Sequence, residues 1–236
     1  RNTLRVVIAS PIRAGVQAQQ AHEHESCLGP RCKEPRVYLR KMPCSFGWDW
    51  GIKLPMSGIW KAVRLEAWGP VRIATVWHET KLCGAQRARL HGWVTFERTA
   101  PCPITLHVHL RGPDGAAYEV SRQVDEHLDS AAFLFDLEQP ALWWPNGMGA
   151  LPLYTLTATA SVDGQALSAC ERRVGVRQLE LVSEPDAIGS TFHFRVNGRP
   201  LFAKGANWIP ADALLSRLDA RVYRRLLGAA ATAHMN

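Results

Sequence analysis

Residues 46–51 read Phe46-Gly47-Trp48-Asp49-Trp50-Gly51, so one carboxylate stands between two indoles with a glycine on either side. A further tryptophan, Trp60, follows ten residues after Trp50. Each indole offers a broad apolar face and one N–H donor, a surface suited to the C–H face of a pyranose ring. An ionised Asp49 accepts two hydrogen bonds from neighbouring sugar hydroxyls. A flat apolar wall beside a bidentate acceptor is the outline of a carbohydrate subsite. The competing reading is structural, because tryptophans in β proteins commonly fill the core and an aspartate beside them caps a turn. The two readings separate on whether Asp49 is exposed or buried.

The elements that must hold this segment are of three textures. Gly47 and Gly51 allow backbone angles closed to other residues, so the segment reads as a shaped loop. Before it, Asn2 to Ala9 is rich in β-branched residues and predicts a strand. Ser10-Pro11 then starts a helix, which carries through Ala14 to His24. Arg36 to Arg40 and Ile59 to Ala67 alternate and predict strands on either side of the loop. From Val71 onward, short strands recur at regular spacing: 72–79, 88–97, 104–111, 118–124, 131–137, 153–162 and 165–176. Asp163-Gly164 is a two-residue hairpin link of the favoured type. Seven short strands over roughly 105 residues argue for an immunoglobulin-like sandwich. Trp143-Trp144-Pro145-Asn146-Gly147 stands on a turn within it, placed either to meet a ligand or to seal the sandwich end. Beyond Arg177 come a linking strand over 179–182, a hairpin around Asn197-Gly198 and the loop Lys204 to Asp212. A helix over 220–234 follows, capped by Asp219, with Val222, Leu226 and Ala230 along one face. Strand, shaped loop and amphipathic helix make the opening unit of an α/β barrel.

Composition narrows the function classes. The 236 residues are 47% hydrophobic and 21% charged, ordinary values for a globular chain. The net charge is +7, but the basic residues are scattered, and Arg221, Arg224 and Arg225 lie on one amphipathic helix. That pattern reads as a solvated face and gives no support to nucleic-acid binding. No apolar run reaches the roughly 18 residues a membrane-spanning helix needs. The six cysteines are spread too widely for a small disulfide framework and are read as free thiols. His22, His24, Cys27 and Cys32 suit zinc by type but match no standard ligand spacing, so no metal is assigned.

Taken together the motifs carry a resemblance. The 46–51 segment with Gly58-Ile59-Trp60 resembles the N-terminal sugar-binding domain of the β-mannosidases in the family-two glycoside hydrolases. Trp143-Trp144-Pro145-Asn146-Gly147 with Leu153-Tyr154, and Arg173-Val174-Gly175-Val176-Arg177, look like that family's markers in the following domain. Residues 196–212, from Val196-Asn197-Gly198-Arg199-Pro200 to Ile209-Pro210-Ala211-Asp212, are similar to its barrel opening. The resemblance implies a mainly β chain: the C-terminal part of a jelly-roll sugar-binding domain over 1–69, an immunoglobulin-like β-sandwich over 70–178, and the first strand–helix unit of a (β/α)8 barrel over 179–236. The first domain is expected to lack its first strands.

The same resemblance implies a β-mannoside oligosaccharide as the partner and no cofactor. Asp49 would hold hydroxyls of a terminal mannose, Trp48 and Trp50 would shape the pocket, and Asn207 and Trp208 would lie near the active-site rim. Such enzymes retain configuration with two glutamates about 5 Å apart. Those glutamates sit on late strands of a barrel of about 250 residues. No carboxylate here lies in a matching motif, so no catalytic residue is assigned and this stretch by itself is expected to be inert. The Val222, Leu226 and Ala230 face is expected to promote self-association of the isolated chain. The alternatives are a lectin-like sugar-binding protein, and an adhesion scaffold that would leave the Trp-Asp-Trp and Lys-Gly-Ala-Asn blocks without a role.

Overall fold

A computed structural model describes residues 3–22, 35–82 and 86–236. The chain divides into two compact units, one of residues 1–64 with 207–228 and the other of residues 65–206 with 229–236.

In the first unit, α1 (Pro11–Ala21) begins where Ser10-Pro11 predicts. The Ser10 carbonyl accepts from Ala14 N at 3.0 Å, and its hydroxyl from Arg13 N at 3.5 Å. Gly15 is buried, and a Cβ there would stand 2.8 Å from the Pro35 carbonyl oxygen, so glycine lets α1 close on the turn at Pro35. That turn is a 3₁₀ helix over Pro35–Tyr38, not the strand expected over Arg36–Arg40. Pro35 lacks a ladder donor and has its φ preset for a helical start. Residues 3–10, and 59–67 at the boundary of the two units, also form no strand, and their apolar side chains stand in solvent, with Leu4 80% and Val63 68% exposed. A strand needs a partner edge, and none of the described residues supplies one. Two short strands, β1 (Phe46–Trp48) and β2 (Gly51–Lys53), do pair, antiparallel.

The second unit holds the sandwich. β3 (Val71–Leu82), β4 (Arg87–Arg98) and β7 (Ser130–Glu138) form one sheet in the order β3-β4-β7. β5 (Ile104–Arg111), β6 (Ala117–Val124), β8 (Tyr154–Val162) and β9 (Gln165–Val174) form the other, in the order β6-β5-β8-β9. All seven expected strands are present, within a few residues of their expected ends. Strict alternation is the cause: Leu90, Val94 and Phe96 of β4 face inward, as do Phe133, Phe135 and Leu137 of β7. They meet Ile104, Leu106, Val108 and Leu110 of β5 and Leu156 of β8 in one core. Burying each such side chain contributes about 1.5–3 kcal/mol. Asp163 (φ +50) and Gly164 (φ +78) close the β8–β9 hairpin in the mirror-image turn that matches strand twist. Arg98, with its side chain 7% exposed, pins two loops by donating to the carbonyls of Cys102 (3.3 Å), Asp125 (3.1 Å) and Leu128. The Tyr154 hydroxyl accepts from Ala141 N at 2.9 Å, and burial pushes its pKa up.

Trp143 and Trp144 are half-buried, Trp144 against Gly149 and under the Arg199 guanidinium at 4.9 Å. The Trp143 indole lies against Gly175, where a Cβ would come within 3.0 Å, and the Arg177 guanidinium covers it at 4.8 Å. Asn197 Nδ2 donates to the Trp143 carbonyl at 3.0 Å while Asn197 Oδ1 accepts from Gln178 N at 2.9 Å. Three further strands, β10 (Leu179–Val182), β11 (His193–Val196) and β12 (Arg199–Leu201), form an antiparallel sheet turning at Asn197-Gly198. α2 (Ala220–Thr232) follows, with Asp219 Oδ1 accepting from the backbone N of Arg221 at 2.8 Å and of Val222 at 3.1 Å. The hydrogen bond from Arg221 and those backbone donors hold the Asp219 carboxyl below its ordinary pKa. Val222, Leu226 and Ala230 recur along one face, as their spacing predicts, and are half-buried there, not the exposed face expected to promote self-association. At the end of this helix, Asn146 Nδ2 donates to the carbonyls of Ala231 (3.3 Å) and Met235 (2.8 Å).

No described helix is long and apolar enough to cross a membrane. Among the described residues Cys44, Cys102 and Cys170 are free, and no three His, Cys, Asp or Glu gather as a metal site. His24, Cys27, Cys32 and Cys83 lie outside the described residues.

Candidate functional site

The Trp48-Asp49-Trp50 motif is the tip of a hairpin. Trp48 pairs with Gly51 and Phe46 with Lys53, so Asp49 and Trp50 alone make the turn. Neither has a positive φ, so this is not one of the mirror-image turns that usually close so tight a link. The unusual angle falls instead on Gly47, at φ +103, a backbone region that disfavours every side chain. The base of the hairpin is braced from both sides. A 3₁₀ turn over Pro43–Ser45 leads into β1, and Leu54 N donates to the Ser45 carbonyl at 2.8 Å, extending the ladder. The Lys41 ammonium donates to the Met56 carbonyl.

This brace holds three side chains in solvent. Trp48 is 53% and Trp50 44% exposed, and Asp49 is exposed between them. The core reading of the motif therefore fails. Among the described residues the Asp49 carboxylate has no hydrogen-bond or ion-pair partner, so its acceptor positions face outward unfilled. Sequence reasoning missed Arg36, whose guanidinium lies 5.6 Å from the Trp48 ring centre and covers part of that face. Nothing in the spacing of Arg36 and Trp48 signals the contact, because a 3₁₀ turn replaces the expected strand. Trp60 is also half exposed, with the Lys61 ammonium 4.6 Å from its ring.

Asn207 and Trp208 are exposed in the loop before α2 and belong to the same compact unit as the hairpin. Trp208 stacks on Tyr223 of α2, with ring centres 6.1 Å apart and planes 18° from parallel. Asp212 holds the end of that loop, its Oδ1 accepting from Leu214 N at 2.8 Å and its Oδ2 pairing with Arg217 Nε at 3.1 Å. Among the described residues no hydrogen bond, ion pair or ring contact joins Asn207 or Trp208 to the hairpin tip. The structure thus brings Trp48, Asp49 and Trp50 together, and places Asn207 and Trp208 separately in that unit.

The hairpin tip offers one carboxylate acceptor between two half-exposed indole faces, and a single carboxylate is fewer than hydrolysis of a glycosidic bond ordinarily uses. Asp49 is the only acidic residue between Glu34 and Glu66. Hydrolysis of that bond ordinarily needs two carboxyl groups flanking it.

Residues 1–61 match the glycosyl hydrolase 2 galactose-binding domain-like family, and residues 71–177 match glycosyl hydrolases family 2. Beta-mannosidase B of Aspergillus terreus is 38% identical over 193 residues, 80% of this chain and 22% of that protein. Beta-mannosidase B of Emericella nidulans is 30% identical over 239 residues, 99% of this chain and 28% of that protein. The crystal structure of β-D-mannosidase from Dictyoglomus thermophilum superimposes with a TM-score of 0.83 at 32% identity, covering 94% of this chain and 28% of that one. The exo-chitosanase of Amycolatopsis orientalis, at 24% identity and a TM-score of 0.55 over 72% of this chain and 20% of its own, shares the fold. The chain spans about a quarter of the length of the curated relatives it matches, 22% to 28%. By these two matches, in order along its length, the chain belongs to glycosyl hydrolase family 2 and carries that family's galactose-binding-like domain and the domain that follows it.

Proposed function

We propose that this chain is part of a retaining exo-β-mannosidase, which removes terminal β-D-mannose from non-reducing ends. Asp49 accepts hydrogen bonds from two hydroxyls of the terminal mannose, Trp48 and Trp50 wall that sugar, and Asn207 and Trp208 stand near the rim. The supporting observation is the exposed carboxylate, without a partner among the described residues, held at a hairpin tip between two half-exposed indoles. The names of the relatives supply the sugar class. Residues 1–69 and 70–178 correspond to the sugar-binding and sandwich domains, and 179–236 to the first strand–helix unit of the catalytic barrel.

Bond cleavage in this reading falls to two glutamates outside the stretch. One protonates the leaving oxygen and the other attacks the anomeric carbon, followed by water on the opposite course, so configuration is retained. The 236-residue chain alone is expected to be inert.

The test compares the longer protein with the 236-residue chain on 4-nitrophenyl β-D-mannopyranoside and on the β-galactoside and β-glucuronide. Expected are turnover of the mannoside by the longer protein only, and β-mannose as the first product in proton NMR. Hydrolysis by the short chain would refute the placement of the glutamates, and a preference for another glycoside would refute the sugar class.

A further inference from the structure

The solvent face of the β3-β4-β7 sheet is not the polar surface that alternation would leave. Trp77 of β3 pairs directly with Trp93 of β4, and Glu79 with His91. His91 in turn pairs with Leu134 of β7. Their neighbours Leu90, Gly92 and Val94 point into the core, so these side chains share the outer face. The two indole rings lie 4.8 Å apart at 34°, and His91 meets each edge-on, at 6.1 Å from Trp77 and 5.7 Å from Trp93. Trp77 remains 47% exposed, Trp93 43% and Leu134 43%. Single exposed apolar residues are ordinary, but two adjacent tryptophans with a leucine beside them form a patch that marks an interaction.

What surrounds the patch indicates its occupant. Arg72 pairs with Glu97 at 2.6 Å, Arg87 with Glu138 at 3.0 Å and Arg89 with Asp136 at 2.8 Å. The rim is therefore neutral and internally paired, which disfavours phosphate-bearing partners and anionic surfaces and suits an uncharged one. The patch keeps its own polar groups nearby. Among the described residues the Glu79 carboxylate is approached by His91 Nε2 alone, at 3.8 Å, which leaves acceptor positions open. That row lies two residues along the strands from the indoles, roughly 6–7 Å. A ring stacked on the tryptophans reaches it with its equatorial hydroxyls.

We infer that the Trp77–Trp93 face binds a neutral polysaccharide chain, by stacking of sugar rings on the indoles and hydrogen bonding of hydroxyls to Glu79 and His91. It is a second sugar-binding surface, carried by the sandwich and not by the hairpin. It would hold the chain whose end the proposed site removes. The mannan probe below rests on that proposed reading, while the surface itself does not.

The test is native gel electrophoresis of the full protein through gels containing soluble galactomannan, and in parallel hydroxyethylcellulose, each against a polymer-free gel. Trp77→Ala and Trp93→Ala are compared with Phe192→Ala, an exposed aromatic outside both proposed surfaces, and far-UV circular dichroism and sedimentation are recorded for each. Expected is retardation of the unaltered protein by at least one polymer. Trp93→Ala should weaken it at least fivefold, Trp77→Ala similarly, and Phe192→Ala should leave it intact. Retardation by hydroxyethylcellulose alone sustains this surface while counting against the mannoside assignment. Absence of retardation by both polymers overturns the inference, as does full retention in both sandwich variants. A change of oligomeric state in folded Trp77→Ala or Trp93→Ala would assign the face to protein–protein contact and overturn it too.

Discussion

Replacement of Asp49 gives the sharpest test of the hairpin, because the structure separates its effect on binding from its effect on stability. The carboxylate is exposed and has no partner among the described residues, so its removal breaks nothing within the fold. The stability change should stay within about 0.5 kcal/mol, the range of surface substitutions away from special features. The cost falls on the sugar. A hydrogen bond to a charged acceptor contributes about 1.5–3 kcal/mol, so two contribute about 3–6 kcal/mol. Asp49→Ala loses both, and at about 1.4 kcal/mol per decade kcat/KM on an aryl β-mannoside should fall roughly a hundredfold to ten-thousandfold. Asp49→Asn keeps one acceptor oxygen and should lose about half of that free energy, roughly tenfold to a hundredfold. The assay is kcat/KM in the longer protein beside urea unfolding of the same preparations. A fall in kcat/KM of less than about threefold for Asp49→Ala would refute the proposed contact. A loss of stability above about 1 kcal/mol would show instead that the carboxylate supports the fold.

Two further predictions concern the sandwich. Gly92→Ala should destabilise it by about 1–3 kcal/mol or more, because its Cβ would stand 2.1 Å from the Trp77 carbonyl oxygen and 2.6 Å from the Phe133 ring; a urea midpoint equal to that of the unaltered protein would refute this packing. Burial, aided by the Arg177 charge, holds His78 below its ordinary pKa, so as pH falls below about 6.5 the unfolded chain takes up a proton that the native one refuses, and stability drops; His78→Gln should flatten that part of the stability–pH curve, and an unchanged slope would exclude His78 as its source.

The sandwich was legible because its strands bring their own partners. Leu106, Val108 and Leu110 alternate in β5, and β6 and β8 lie within the same stretch to pair with it. Alternation there reports a face that is buried. The first 67 residues show the opposite case. Residues 3–10 and 59–67 have the composition of strands, yet Val7 is 77% and Val63 68% exposed, and neither segment finds an edge. Composition reports suitability for a ladder, while the ladder is a property of two segments. Pro35 likewise opens a 3₁₀ helix over Pro35–Tyr38, where the alternation of 36–40 reads as strand. At the hairpin, residue types and the flanking glycines gave the exposed aromatic tip, but not Arg36 over Trp48, which depends on where a distant turn comes to rest. The facing of Trp77 and Trp93 was hidden for the same reason, since register across two strands decides it.

The clamp that Asn146 makes on the last turn of α2 carries a chemical liability. Asn146 is followed by Gly147, and the backbone nitrogen of a residue without a side chain is open to attack the asparagine carboxamide, expelling ammonia through a cyclic imide that water reopens to a carboxylate. The group that now donates to the Ala231 and Met235 carbonyls would become an acceptor, its negative charge set against the electron-rich end of the helix. Ageing of the protein in solution would thus unfasten the sandwich turn from α2 without any change in the encoded sequence.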